Sequence, residues 1–139
     1  MLADPAKLRD FAMRYTTAWC SQNAASVAAF YSPDGSLCVN DGASAVGRNS
    51  ISAVAQGFMT AFPNLQVLMD DVFPQGNGAV YHWTLIGTNT GPGGTGHRVR
   101  ISGFERWRIG GDELIAESRG YFDSTSYRRQ VESGVDALR

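Results

Sequence analysis

Residues 98–109 read Arg98-Val99-Arg100-Ile101-Ser102-Gly103-Phe104-Glu105-Arg106-Trp107-Arg108-Ile109 and predict a long strand of the fold. Arginines alternate with apolar side chains along it, which is the period-two pattern of a β-strand with one polar and one apolar face. Glu105 falls on the apolar face, together with Ile101 and Trp107. Because burial disfavours the ionised form of a carboxyl, we expect a raised pKa for Glu105 and a side chain that keeps its proton near neutral pH.

A β-bulge is the alternative explanation for the acid in this strand. Glycine inside a strand often marks a bulge, and a bulge at Gly103 would reverse the alternation beyond it. Glu105 would then face outward and pair with an arginine. The alternation favours the inward orientation.

Length and composition predict one domain over residues 1–139. The chain has 43% hydrophobic residues, 18% charged residues and a net charge of −1, which argues against nucleic acid or a membrane surface as a partner. No apolar run approaches the roughly 20 residues of a membrane span, and the first residues lack a signal-peptide pattern, so we expect a cytoplasmic protein. The two histidines and two cysteines lack metal-ligand spacing, and we expect no metal and no other cofactor.

Apolar spacing and breaker residues predict helices first and strands later. Asp4 and Pro5 begin a first helix, a second covers 24–30, and a third runs from about 49 to 62. Strands are predicted at 37–40, 65–73, 79–90, 97–109 and 114–122, with a last short helix after Ser124. This order predicts an α+β fold, with N-terminal helices packed on a curved antiparallel or mixed sheet.

Several short motifs, in this order, make the chain similar to a known family. They are Phe30-Tyr31-Ser32-Pro33-Asp34, Gly47-Arg48, Phe62-Pro63-Asn64-Leu65, Trp83-Thr84-Leu85-Ile86-Gly87-Thr88, Thr95-Gly96-His97-Arg98-Val99 and Tyr121-Phe122-Asp123. Nearly the whole chain resembles the SnoaL-like polyketide cyclase branch of the nuclear-transport-factor-2-like fold. That resemblance implies a cone-shaped domain whose helices and strongly curved sheet enclose an apolar pocket. Members include enzymes acting on small hydrophobic molecules and plain binding modules, so the fold alone does not settle the function.

Three residues also resemble the catalytic set of the ketosteroid isomerases, which share this fold. Tyr15 matches their oxyanion-hole tyrosine, Asp41 lies in a segment similar to the one that carries their general base, and Glu105 stands where they have a buried acid. The resemblance implies that Asp41 removes a proton beside a carbonyl while Tyr15 and protonated Glu105 stabilise the oxyanion. Local sequence leaves alternatives open, because Tyr15 also fits a helix core and Asp41-Gly42 also fits a turn.

The same resemblance implies which strand faces line the pocket. It places His82 there as a further acid–base candidate, although a lone histidine is more often structural. Substrate-binding residues are then expected at Trp19, Phe58, Thr84, Ile86, Ile101, Trp107, Ser118 and Phe122. An arginine–aspartate mechanism like that of the limonene-epoxide-hydrolase-like branch is excluded, because Gly120 replaces its acid and Thr84 and Ile86 replace its other two groups.

The opposite sheet face is expected to carry Tyr81, Trp83, Leu85, Phe104 and Tyr121 among arginines. That is a large exposed apolar surface for a monomer, so we expect a homodimer through this outer face. Two functions fit the sequence. One is an isomerase or cyclase that moves a proton on a hydrophobic, polyketide- or steroid-like carbonyl compound, and the other is a non-catalytic module that binds a small hydrophobic molecule.

Overall fold

The computed structural model describes residues 4–135, which form four helices and one six-stranded sheet. The helices are α1 (Pro5–Trp19), α2 (Ala24–Ala28), α3 (Arg48–Ala61) and α4 (Ser124–Ser133). The strands are β1 (Tyr31–Val39), β2 (Ala45–Val46), β3 (Gln66–Gln75), β4 (Gly78–Thr88), β5 (Arg98–Ile109) and β6 (Ile115–Phe122).

The strands are ordered β2-β1-β6-β5-β4-β3 and the sheet is not closed. β1 runs parallel to β6 while the other neighbours are antiparallel, so the sheet is mixed. The predicted α+β fold is therefore confirmed, with β5 between two long partners near the middle of the sheet. Within residues 4–135 the structure has no helix that is both long enough and apolar enough to cross a membrane.

Helix α1 covers the sheet because its apolar residues recur on one side. Asp4 caps it by accepting a hydrogen bond from the Ala6 amide at 2.9 Å, and proline at the first position needs no amide partner. The ring of Phe11 packs edge-on against Trp107 of β5 at 5.7 Å, and Tyr15 lies one turn further along. This packing places the Tyr15 hydroxyl over the centre of the sheet.

The first strand is longer than the sequence pattern predicts. Residues 32–35, which precede the strand predicted at 37–40, belong to β1, and their pairing with β6 is interrupted by a register shift between Tyr31 and Ser36. A proline can be accommodated in a strand at such an irregularity. The two-residue strand β2 had no sequence signal, because it is too short to show alternation.

The two faces of β4 are the reverse of the sequence prediction. Cross-strand partners share a face, and β4 pairs Tyr81 with Glu105, Trp83 with Gly103 and Leu85 with Ile101. Tyr81, Trp83 and Leu85 therefore lie on the inner face, which the helices cover. His82, Thr84 and Ile86 lie on the outer face with the arginines of β5.

Helix α4 closes one end of the sheet through a buried glutamine. Pairing between β5 and β6 begins at Gly103, so the earlier backbone of β5 has no strand partner on that side. Gln130 of α4 takes that place: its Oε1 accepts a hydrogen bond from the Arg100 amide at 2.7 Å. Thr95 also holds this helix in place, because its hydroxyl donates a hydrogen bond to the Val131 carbonyl.

Replacing Gln130 with alanine should lower the free energy of unfolding by about 1–3 kcal/mol, because the Arg100 amide loses its acceptor. Urea unfolding measures the change. Glu132→Ala, an exposed alanine substitution in the same helix, is the matched control and should have a much smaller effect. Equal unfolding midpoints for the two variants would contradict the anchoring role of Gln130.

Candidate functional site

The inner face of the sheet and three helices enclose a mostly aromatic and aliphatic pocket. It is lined by Trp19, Leu37, Val39, Val54, Phe58, Val67, Tyr81, Trp83, Leu85, Ile101, Glu105, Gly120, Phe122 and Tyr127. Its cavity of about 60 Å³ is several times the roughly 10–15 Å³ that one water requires. Among these lining residues Glu105 is the only one with a carboxyl group, so the pocket combines an apolar wall with one acid.

Three protein donors converge on a single oxygen of Glu105. Its Oε1 accepts hydrogen bonds from the Ser118 hydroxyl at 2.8 Å, the Trp107 indole N–H at 2.9 Å and the Tyr15 hydroxyl at 3.0 Å. Oε2 has no such partner among residues 4–135. Because Oε1 already receives three donors, Oε2 is the oxygen left for a ligand, and it is also where the proton resides when the acid is neutral.

Burial raises the pKa of Glu105, and its three donors only partly offset the effect. The side chain is 8% exposed, so the charged form loses most of its hydration. The bonds from Trp107, Ser118 and Tyr15 favour the carboxylate and act in the opposite direction. The predicted inward orientation and raised pKa of Glu105 thus agree with the structure.

Tyr15 helps to hold Glu105 in place by a hydrogen bond, but it does not line the pocket. It is 0% exposed, and its hydroxyl is shared between Glu105 and the Tyr31 hydroxyl, which lies 2.9 Å away. Burial, followed by the proximity of Glu105, raises the pKa of Tyr15 well above its usual value. Tyr15 therefore stays a neutral donor that orients the carboxyl.

Small and flat residues surround the acid. Gly120 is the β6 partner of Glu105, and a Cβ there would lie 3.5 Å from Cγ of Glu105, in contact with it. On the other side Trp107 stacks on Tyr81 with ring centroids 5.0 Å apart. The glutamate thus lies between a glycine and a rigid aromatic pair.

The expected substrate-binding residues divide into three groups. Trp19, Phe58, Ile101 and Phe122 line the pocket, as expected. Trp107 and Ser118 lie behind it, where they donate to Glu105.

Thr84 and Ile86 are on the outer face, contrary to the prediction. Thr84 bonds there to Asp70 at 2.6 Å and to Ser102 at 2.7 Å. The error follows from the reversed faces of β4.

Asp41 is not brought together with Tyr15 and Glu105. It is exposed, it has a positive φ of 58°, and it accepts a hydrogen bond from the Tyr121 hydroxyl at 2.9 Å. Gly120 and Phe122 line the pocket, so Tyr121 between them points to the opposite face. Asp41 therefore lies on the outer side of the sheet.

His82 also lies on the outer face, where it packs between two phenylalanines. Its ring centroid is 5.9 Å from that of Phe73 and 5.8 Å from that of Phe104. Neither this histidine nor Asp41 is positioned to exchange a proton with a ligand in the pocket. Of the four predicted catalytic residues, the structure brings together only Tyr15 and Glu105.

Sequence reasoning missed several residues of the site. Tyr81, Trp83 and Tyr127 line the pocket, and Tyr31 extends the hydrogen-bond network of Glu105. For Tyr81 and Trp83 the signal was present, since a strand partner of Glu105 must share its face, but the register was not readable from sequence. Tyr127 lies in a short helix without a strong apolar pattern.

The fold and this enclosed pocket define a class, the cone-shaped α+β proteins of ketosteroid-isomerase-like and nuclear-transport-factor-2-like architecture. The family model for SnoaL-like polyketide cyclase matches residues 9–131, so the chain belongs to that family. The membership supports a cyclase-type role in general. No curated protein matches the chain.

Solved structures similar to this one share its fold at low sequence identity. One is a hypothetical protein with ketosteroid isomerase-like fold from Catenulispora acidiphila in complex with trimethylamine, with 19% identity, a TM-score of 0.78 and coverage of 91% of this chain and 95% of that one. A protein from Jannaschia sp. described as a SnoaL-like polyketide cyclase has 17% identity, a TM-score of 0.73 and coverage of 89% and 93%. SalBIII, an epoxide hydrolase/cyclase-like enzyme with a role in pyran ring formation in the polyether salinomycin, has 13% identity, a TM-score of 0.75 and coverage of 89% and 96%.

As the pH rises, the Glu105→Gln variant should become progressively more stable relative to the wild type. A raised folded-state pKa means that the folded wild type holds a proton that the unfolded chain releases from about pH 4.3 upward. Wild-type stability therefore falls between that pH and the folded pKa, by about 1.4 kcal/mol for each unit between them. Glu105→Gln keeps the acceptor oxygen and removes this loss.

Urea unfolding of both proteins across this pH range measures the effect. The difference in unfolding free energy, variant minus wild type, should grow from about pH 4.3 and level off above the folded pKa. A difference that does not change with pH would contradict a raised pKa for Glu105.

Proposed function

We propose that the protein is an enzyme of cyclase or isomerase type that moves a proton on a small hydrophobic carbonyl compound, with Glu105 as the group that takes and returns the proton. The observation that carries this proposal is the single carboxyl in an apolar pocket, held through Oε1 by three donors while Oε2 is left for a ligand. Membership in the SnoaL-like polyketide cyclase family supports the reaction class.

The proton transfer balances with Glu105 alone. Oε2 of the carboxylate takes a proton from a carbon beside a carbonyl, the C–H electron pair moves into an enolate, and its negative charge resides on the carbonyl oxygen. In a ring closure the enolate carbon then bonds to a second carbonyl carbon of the same molecule. Glu105 returns its proton to the oxygen of that second carbonyl, whereas in an isomerisation it returns the proton to another carbon.

The raised pKa of Glu105 suits this role. A general base works best when its pKa lies near the working pH, because it is then both ionised and basic enough. Burial supplies the basicity, and the fixed donors of Trp107, Ser118 and Tyr15 hold the carboxyl in place.

A deuterium-exchange assay tests the proposal. In D₂O the wild type should accelerate exchange of the protons beside the carbonyl of a small flat ketone such as 2-tetralone, observed by proton NMR. Glu105→Gln should reduce the enzyme-dependent rate at least a hundredfold, since a positioned base typically contributes 10²–10⁴-fold.

Two carboxyl-to-amide variants are the controls for this assay. Glu117→Gln changes a half-buried acid on the outer face of β6, and Asp41→Asn changes the acid that the sequence predicted as the base. Both should retain the wild-type rate. If Glu105→Gln exchanges as fast as the wild type, Glu105 is not the base.

A second candidate function is a binding module for a small organic ammonium ion. Six of the fourteen lining residues are aromatic and one is an acid, and aromatic rings hold alkylammonium groups by cation–π attraction. The similar fold from Catenulispora acidiphila was solved in complex with trimethylamine. In this function an ionised Glu105 would be the counter-ion.

The pH dependence of binding separates the two candidates. A trimethylammonium ion needs an ionised Glu105, so its affinity should rise as the pH increases through the raised pKa of that group. An uncharged ketone forms no ion pair with Glu105, so its affinity should not increase over the same range. Calorimetric titration with trimethylamine, and with uncharged tert-butanol as the matched control, distinguishes them, and no difference between these two ligands would exclude the ammonium function.

We further propose that the chain forms a homodimer through the outer sheet face. Tyr81, Trp83 and Leu85 no longer support it, because they face the pocket. A row of rings remains across the outer face, formed by Phe73, His82, Phe104 and Tyr121.

Analytical ultracentrifugation should give twice the chain mass of 15.0 kDa, and Phe104→Asp should give a monomer. A wild-type mass of one chain would exclude the dimer.

A further inference from the structure

Proton removal beside a carbonyl needs a second group besides the base. The negative charge that develops on the carbonyl oxygen must be stabilised by a hydrogen-bond donor, and the loss of one such donor typically costs 10²–10³-fold in rate. In an apolar pocket a donor of this kind must come from one of the few polar atoms in the wall.

The donor that the sequence predicted for this task is already engaged. The Tyr15 hydroxyl bonds to Glu105 and Tyr31, and Tyr15 does not line the pocket. Tyr81 does line it, but its hydroxyl is bonded to Thr16. Both hydroxyls are therefore occupied by protein groups. The lining residue Tyr127 also has a hydroxyl, but Tyr127 is only half-buried, so the fully buried donor without a partner among residues 4–135 is on another residue.

Trp83 carries a buried donor that is unused. Among residues 4–135 its indole Nε1 is the buried side-chain nitrogen or oxygen for which no hydrogen-bond partner is found. A buried donor without an acceptor is costly, by about 1–3 kcal/mol, and such groups are rare in folded proteins. Trp83 is also a pocket-lining residue.

The strand register places this indole on the same wall as the base. Trp83 pairs with Gly103, and Glu105 lies two residues further along β5 on the same face. The absence of a side chain at Gly103 makes room for the ring, since a Cβ there would come within 2.6 Å of Cζ2 of Trp83. Phe122 of β6 packs edge-on against the Trp83 ring, with the two ring centroids 6.0 Å apart.

We infer that the Trp83 indole N–H is the donor that binds the carbonyl oxygen of the substrate and stabilises its enolate, while Glu105 transfers the proton. This inference rests on the proposed proton-transfer function. It makes Trp83 a catalytic residue and leaves Tyr15 as a positioning residue for Glu105. The ligand class is a planar compound whose enolisable carbonyl bridges these two groups.

Indole NMR tests the contact without relying on turnover. The chain has three tryptophans, and Trp→Phe variants assign their indole N–H signals in ¹⁵N-labelled protein. We use 4-nitrophenol as the probe, because its phenolic oxygen resembles that of an enolate. Its binding should move the Trp83 N–H signal downfield, and Trp83→Phe, which keeps a ring in the wall, should weaken binding at least tenfold.

Phenol binding that leaves the Trp83 signal unmoved would overturn the inference. It would also be overturned by a Trp83→Phe variant that binds as tightly as the wild type, or by a wild type that does not bind the phenol.

The exchange assay then separates failure of this inference from failure of the proposed function. Trp83→Phe should lower the rate about a hundredfold without moving the midpoint of the pH profile. Trp107→Phe is the matched control: it removes a donor to Glu105 and should move that midpoint upward.

Each remaining outcome identifies which claim is wrong. A Trp83→Phe variant with the full exchange rate, beside an inactive Glu105→Gln, overturns the role of Trp83 and leaves the proposed function intact. A wild type without exchange whose Trp83 signal still moves with the phenol overturns the proposed function and supports the oxygen-binding contact.

Discussion

The convergence of three donors on one oxygen of a buried carboxyl is the interaction on which the site depends. Tyr15 comes from α1, Trp107 from β5 and Ser118 from β6, so the contact at Glu105 Oε1 joins the helix layer to the sheet. Burial of an acid normally costs free energy, and here the cost is reduced by hydrogen bonds on one side only. The asymmetry directs the reactive oxygen toward the pocket.

The same arrangement explains why Tyr15 has a different role from the one its sequence position implied. A tyrosine on the apolar side of α1 can donate either to a ligand or to a protein group. Glu105 lies within 3.0 Å and accepts that hydrogen bond, and the Tyr31 hydroxyl donates to the Tyr15 oxygen. The hydroxyl then orients the carboxyl, and stabilisation of a ligand oxygen must come from another wall residue.

The sequence was most informative where one strand had a clear contrast between its faces. The alternation in β5 predicted both the orientation and the environment of Glu105 correctly. β4 has apolar side chains on both faces, and its phase is fixed by its register with β5, where residue 81 pairs with residue 105. A shift of one residue exchanges the faces, and nothing in a single sequence reports that register across a loop of this length. For Asp41, similarity of a short segment did not specify the side of the sheet, which the left-handed backbone and the bond from Tyr121 determine.

The protonation behaviour of Glu105 is the most direct test of this account. The δ-carbon of Glu105 can be followed by ¹³C NMR through a pH titration and assigned with Glu105→Gln. The pKa of Glu105 should lie above the ordinary glutamate value of about 4.3, and it should rise further in Tyr15→Phe, which removes one of the three donors. A Glu105 pKa in the ordinary range, unchanged by Tyr15→Phe, would contradict this prediction.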